Sequence, residues 1–224
     1  MSRDSLVIAI DGPAGAGKST IARLLSDHLG IRLLDTGAMY RAFAVAAQRE
    51  GVSVDSAEAL GELAGRTNVS FAEGDPPPVL LNGEDVSQEI RSLEIGQMAS
   101  QASTVSAVRR RMVELQQAIV AKGNTILEGR DVTTVVAPQA DLKIFLTASI
   151  EERARRRWHE IRERDPAARL TEVVKDVVER DHRDYTRQDS PLMLAEDAWI
   201  VESFGLTPVE VVDLILERLD SLAK

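Results

Sequence analysis

Cysteine is absent from the 224-residue chain, which removes disulfides, thiolate nucleophiles and cysteine-ligated metals together and suits a reducing compartment. Long apolar runs are missing too; none approaches the roughly 20 residues that a membrane-spanning helix needs, so no membrane partner is expected. Ahead of the first apolar run stands only a short polar stretch, Met1 to Ser5, without a secretory leader pattern, and a cytoplasmic location is expected. The three histidines, His28, His159 and His182, are scattered and form no metal-ligand spacing. A basic excess is lacking as well. The formal net charge is -9, whereas a duplex-binding protein usually shows a basic face, so no polymeric nucleic acid is expected as a partner. There are no internal repeats or low-complexity tracts, and no exposed apolar stripe stands out, which favours a monomer.

What is present fits one α/β domain with a small insertion: 44% hydrophobic and 28% charged residues over a length that can bury a sizeable core. The basic residues are unevenly chosen, 22 arginines against 5 lysines, and ten of the arginines fall between Arg153 and Arg187. A guanidinium matches phosphate oxygens bidentately, so such a segment suits a polyphosphate ligand. Ten acidic residues are interleaved from Glu151 to Asp184, and helical i,i+4 pairing explains any single arginine there equally well.

Along the chain, Leu6 to Ile10 reads as a buried central strand ended by Asp11. A glycine-rich turn follows, then a helix from Lys18 with Ile21, Leu24, Leu25 and Leu29 on one face and Gly30 as its stop. Ile31 to Leu34 is a second strand, followed by a helix from about Ala38 to Arg49, and Glu58 to Ala64 is a short helix. Val69-Ser70-Phe71 and Val79-Leu80-Leu81, separated by a Pro- and Gly-containing turn, form a hairpin-like insertion. Two helices, about Leu93 to Ser103 and Ala107 to Ala121, precede buried strands at Thr125 to Glu128 and Leu142 to Leu146. A charged helical region, Ile150 to Tyr185, breaks near Asp165-Pro166. A last strand spans Ala198 to Val201, and Thr207-Pro208 opens a final helix. Strands alternating with helices predict a parallel β-sheet covered by helices on both faces. Both tryptophans read as packing residues.

Gly12-Pro13-Ala14-Gly15-Ala16-Gly17-Lys18-Ser19 fits the phosphate-loop pattern, and with Thr20 it forms the expected ATP-binding stretch. The glycines let backbone N–H groups turn around phosphate oxygens, and the following helix directs the positive end of its dipole at the same anion. Lys18 reaches the β- and γ-phosphates, and the Ser19 hydroxyl is the expected ligand of Mg²⁺. At ordinary glycine usage a chance match is on the order of one in a hundred. The loop alone does not choose between switches, motors and kinases. A GTPase would need Asn-Lys-x-Asp, but Asn68, Asn82 and Asn124 are followed by Val, Gly and Thr. The strand Leu142 to Leu146 ends in Thr147 rather than an acidic pair, a poor match to a motor. A kinase for a small acceptor fits best.

Four further segments complete the pattern: Leu34 to Arg41; Leu81 to Val86 running on to Glu89-Ile90-Arg91-Ser92; Glu128-Gly129-Arg130-Asp131-Val132 with Thr134 to Val136; and Arg180-Asp181, Arg183-Asp184 and Arg187. Together with the loop they resemble the bacterial cytidylate kinase family in order and spread. Ser19, Thr36, Glu128 and Thr133 depart mildly from the common pattern, which bears on substrate preference or rate. The resemblance implies the P-loop kinase fold in a single domain over residues 1–224. It implies a monophosphate-binding region over about 36–104, enlarged by an insertion at 66–92, and a helical lid over about 150–187. The implied reaction moves the γ-phosphoryl of ATP to CMP or dCMP, with Mg²⁺ accompanying ATP. Carried over by position, Arg41 and Arg130 hold the acceptor phosphate, and Ser100, Arg109 and Asp131 read the cytosine edge. Asp184 and Arg180 hold the ribose, while Thr36, Gly37 and Tyr40 line the acceptor pocket. Lys18 and Arg130, with Arg187 and the lid residues Arg153 and Arg157, supply catalytic charge. The lid arginines are expected to lack fixed partners until phosphates arrive. A kinase for UMP or a shikimate-like alcohol, and a regulatory module without catalysis, are the alternatives; the intact loop argues against the second.

Overall fold

The computed structural model describes residues 5–74, 76–163 and 165–222. Met1–Asp4 of the polar opening, Asp75 of the turn in the insertion and Arg164 of the arginine-rich segment lie outside the described residues. In chain order the elements are β1 (Val7–Asp11), α1 (Lys18–Leu29), β2 (Arg32–Asp35), α2 (Thr36–Arg49), α3 (Ala57–Arg66), β3 (Val69–Phe71), β4 (Val79–Leu81) and β5 (Glu84–Asp85). They continue as α4 (Leu93–Ala102), α5 (Ser106–Val120), β6 (Thr125–Gly129), β7 (Leu142–Thr147), α6 (Ile150–Arg162), α7 (Leu170–Thr186), β8 (Trp199–Glu202) and α8 (Pro208–Leu222). A 3-10 turn, Glu89–Arg91, and a π-helical turn, Val132–Val136, complete the set.

Two compact units emerge. The first comprises Met1–Leu34, Lys122–Thr186 and Pro191–Lys224. Its five-stranded sheet has the order β2-β6-β1-β7-β8, and β1 runs parallel to both β6 and β7, as β7 does to β8. The apolar run at β1 is explained by this central place, because a strand flanked on both edges and covered on both faces has no polar side. Ile8 and Ile10 enter a core with Ile21, Ala22 and Leu25 of α1 and Val211, Val212 and Ile215 of α8. Ala9 and Leu127, on the other face, are also fully buried. The fold is the expected parallel sheet covered by helices.

The second unit comprises Asp35–Ala121 and Arg187–Ser190. Its α2 is rich in alanine, and Ala38, Met39 and the whole run Ala42–Ala47 are buried. Asp35 caps α2 by accepting the Ala38 N–H at 2.9 Å. The unit runs past residue 104 because α5 packs on α3; a methyl placed on Gly61 would lie 3.2 Å from Ala107 Cβ. The insertion forms a three-stranded antiparallel sheet, β3-β4-β5. The third strand was not apparent from Glu84-Asp85 alone, which carries no apolar side chain. The two-residue turn Asn82-Gly83, both at positive φ, pairs it with β4.

Both tryptophans pack as expected. Trp199 lies against the main core, and Trp158 sits beside Ala154, Val173 and Val177 and donates to Ala168 O at 2.8 Å. Among the described residues no helix is long and apolar enough to cross a membrane. Met193, Ile200, Phe204 and Val209 stand more than half exposed, so the absence of an apolar stripe no longer supports the monomer expectation.

Candidate active site

The loop between β1 and α1 is folded so tightly that side chains are excluded at two points. A Cβ on Gly12 would lie 2.0 Å from Leu146 O. One on Gly15, at φ +75, would lie 2.8 Å from Arg153 O. Lys18 opens α1, is buried, and donates from Nζ to Pro13 O at 2.9 Å. Burial, and then the neighbouring Arg130 guanidinium, push its pKa down to about 7; Glu128 and Asp184 act in the opposite direction and Arg180 adds to the depression. A buried ammonium among two guanidiniums is costly alone and gains most from an incoming polyanion. Ser19, exposed at the start of α1, donates its hydroxyl to the buried Glu128 carboxylate at the end of β6.

The chain leaves β6 through Arg130 and Asp131. Arg130 Nε meets Asp184 Oδ2 at 2.8 Å. Burial opposes the charge on Arg130, but Asp184 outweighs it and the guanidinium sits above its ordinary pKa. Asp131 is buried just before the π-helical turn. That turn is held from below by Asp11, whose carboxylate accepts Val132 N–H at 2.9 Å, Thr133 N–H at 2.7 Å and the Thr133 hydroxyl at 2.6 Å. Burial pushes the Asp11 carboxyl up, against the pull of these donors.

The arginines of α6 do not wait without partners, which corrects the expectation for this part of the segment. Arg153 is buried, with Nη1 2.6 Å from Asp181 Oδ2 and 2.9 Å from Ala14 O, and Nε 3.0 Å from Ala148 O. Arg156 pairs with Glu152 at 2.9 Å and reaches Ser203 O at 2.9 Å. Arg157 lies 3.7 Å from Asp176. Acidic residues interleaved at helical spacing and across the two helices supply these contacts.

In the second unit, Arg109 of α5 lies over the Tyr40 ring at 5.3 Å and donates to Ser103 O at 3.1 Å. The Ser103 hydroxyl in turn donates to Ser100 O at 2.9 Å. Ser100 Oγ, buried in α4, has no hydrogen-bond partner among the described residues. Arg41 donates to Ile90 O at 3.2 Å and runs beside Gly96. Thr36 and Gly37 form the first turn of α2, and Arg187 Nε donates to Ser190 O at 2.7 Å. Tyr40, Arg109 and, through Ser103, Ser100 are therefore linked in one polar cluster, while Lys18, Glu128, Arg130, Arg180 and Asp184 form a second in the first unit.

A family model described as cytidylate kinase matches residues 8–221. The chain belongs to the cytidylate kinase family. It is 47% identical to a cytidylate kinase of Geobacter sp. strain M21 over 95% of this chain and 91% of that protein. It is 48% identical to one from Pelotomaculum thermopropionicum over 96% of each. Among solved structures, a gluconokinase from Sinorhizobium meliloti aligns over 99% of this chain and 95% of that one, with a TM-score of 0.50 and 14% identity, a likeness of fold alone.

Within this cytidylate kinase family member, sequence reasoning overlooked Asp11, Ser103, Glu128 and Asp181 as contributors to the site. Each acts through a partner distant in sequence or in an unremarkable loop. The one available signal was that Asp11, Glu128 and Asp181 are acidic residues in or beside the quoted motifs.

Proposed function

We propose that the protein transfers the γ-phosphoryl group of ATP to CMP or dCMP, giving CDP or dCDP and ADP. The observation that carries the reading is Lys18 buried on an intact phosphate loop among Arg130 and Arg180, in a chain whose family match runs over both units. Phosphoryl transfer asks little covalent chemistry of a protein; it asks for alignment and for neutralisation of charge on the migrating group. Lys18 supplies charge to the β- and γ-phosphates, held by the backbone of Gly12 to Thr20. Arg130, Arg157 and Arg187 offset further negative charge.

Ser19 and Glu128 present a hydroxyl and a carboxylate side by side, an all-oxygen pair that suits a hard divalent cation. Among the described residues no cluster of three or more acidic or histidine side chains forms a metal cage. That fits Mg²⁺, which keeps waters and binds through one or two protein oxygens plus substrate phosphates. Ser19 and Glu128 would hold such an ion, which would offset negative charge on the triphosphate.

Of the residues suited to an acceptor, Arg130, Asp131, Arg180 and Asp184 lie in the first unit, and Thr36, Gly37, Tyr40, Arg41, Ser100, Arg109 and Arg187 lie in the second. Ser100 Oγ brings an unused hydrogen-bonding group and Arg109 a fixed guanidinium, both suited to the polar edge of a pyrimidine. A coupled ADP-release assay over CMP, dCMP, UMP, AMP and shikimate tests the reading. Turnover concentrated on CMP and dCMP is expected; equal rates with every acceptor would contradict it.

A further inference from the structure

Ala14 is the residue of the phosphate loop whose peptide groups are gripped on both sides by side chains from elsewhere in the fold. Its N–H donates to Asp181 Oδ1 at 3.1 Å, and its carbonyl accepts from Arg153 Nη1 at 2.9 Å. The two gripping side chains are themselves joined at 2.6 Å and buried. They come from α7 and α6, 167 and 139 residues away along the chain.

A trans peptide is planar, with its C=O and N–H pointing in opposite directions. Holding one end of a peptide group therefore aims the other. The Ala14 N–H belongs to the same peptide as the Pro13 carbonyl, and that carbonyl accepts from Lys18 Nζ at 2.9 Å. The Ala14 carbonyl belongs to the same peptide as the Gly15 N–H, which must then point away from Arg153. The geometry points to Asp181 and Arg153 as a positioning pair for the phosphate loop: Asp181 aims the Pro13 carbonyl at Lys18, and Arg153 aims the Gly15 N–H away from α6 and toward the bound phosphate. Arg153 thereby acts through the loop backbone and not by touching a phosphate. This rests on the reading that the loop binds ATP.

The pair is well built for that task. Loop carbonyls and N–H groups alternate in direction around an anion, and a carbonyl that swung inward would place a partial negative charge against the phosphate. Arg153 prevents the swing at Ala14. The close approach of Gly15 to Arg153 O and Cβ shows that the loop rests directly on α6. Asp181 is needed twice, as acceptor for Ala14 and as counter-charge for a buried guanidinium, since a buried charge without a partner is costly.

Asp181→Asn keeps an oxygen for the Ala14 N–H but sets an amide opposite Arg153, while Arg153→Lys keeps the charge and loses the fork. Calorimetric binding of ATP alone, together with KM for ATP and for CMP, is measured for the parent, both variants and the double variant. Each single change is expected to weaken ATP binding about tenfold, equivalent to about 1.4 kcal/mol. KM for CMP should stay within about twofold, and the double variant should be no worse than the poorer single one. Unchanged ATP binding, equal weakening toward ATP and CMP, or additive losses would overturn the inference. If the variants do not fold, residue-resolved amide exchange of the parent decides: Ala14 N–H must be protected like the β1 amides, and rapid exchange there would overturn it. Loss of the kinase reading would show separately, as absent CMP turnover in the parent, because ATP calorimetry needs no acceptor.

Discussion

Around Ala14 the protein satisfies its own polar groups: the N–H has Asp181, the carbonyl has Arg153, and those two side chains have each other. Around Ser100 it does not, because a buried hydroxyl in α4 is left without a hydrogen bond among the described residues, one step through Ser103 from the Arg109 guanidinium. A buried polar group without a partner costs about 1–3 kcal/mol, so natural proteins retain few of them. The contrast teaches that the phosphate loop is shaped in advance by the fold, whereas the cluster around Ser100, proposed above to face the acceptor, keeps a hydrogen-bonding group unused. An anion held by backbone groups needs those groups fixed before it arrives. A base distinguished by its edge needs side-chain atoms left open to it.

Four changes would break or sharpen this contrast. The largest effect is expected on the prebuilt side. Lys18→Ala removes the buried charge at the loop, and kcat should fall about a thousandfold with circular dichroism unchanged. Near-parental turnover would reduce the loop to a structural turn.

On the acceptor side, Asp131→Asn should narrow the preference for CMP over UMP about tenfold. A carboxylate accepts from the cytosine amino group and repels the uracil carbonyl, whereas an amide can accept from the first through its oxygen or donate to the second through its nitrogen; one such contact is worth roughly 1–3 kcal/mol. The ratio of kcat/KM for the two acceptors, in parent and variant, is the measurement. An unchanged ratio would leave base reading to Ser100 and Arg109.

Ser100→Ala should separate ligand recognition from folding. KM for CMP should rise about fivefold while KM for ATP holds, since a hydrogen bond to the ligand is lost. Thermal stability should stay level or rise by about 2 °C, because the deleted hydroxyl bonds to nothing among the described residues. A lower melting point with unchanged KM would show Ser100 to be a packing residue.

The smallest effect is a proton. With Lys18 pushed down to about 7, the ligand-free lysine is largely neutral at pH 8 and charged at pH 6. ATP favours the ammonium, so binding should take up close to one proton at pH 8 and almost none at pH 6, read by calorimetry in buffers of different ionisation heat. The same shift has a sign for stability. Between about pH 7 and the ordinary lysine value the unfolded chain binds the extra proton, so this group makes stability rise with pH across that window. Equal proton uptake at both pH values would contradict the assignment.

Local patterns carried much of the fold into the sequence. The apolar run of β1, the glycine-rich loop, the spacing of α1 and the β3 and β4 pieces were legible because periodicity and turn residues act over a few positions. The π-helical turn at Val132–Val136 was not, because it depends on Asp11 reaching across 121 and 122 residues to its N–H groups. Of the candidate site, Lys18, Arg130 and Asp184 fall into one cluster, and Tyr40, Ser100 and Arg109 into another. Arg153 was misjudged for a physical reason. An arginine in a charged helix looks free for phosphate until the fold brings Asp181 and the Ala14 carbonyl to it.

The claim that the protein phosphorylates cytidine monophosphates is tested most directly by competition. Limiting ATP is supplied with equimolar CMP, dCMP, UMP and GMP, and the nucleoside diphosphates are identified by mass as they appear. The account predicts CDP and dCDP first, with one ADP formed for each, and none of these products from the Lys18→Ala protein. UDP or GDP appearing first, or ADP accumulating without any other diphosphate, would contradict it.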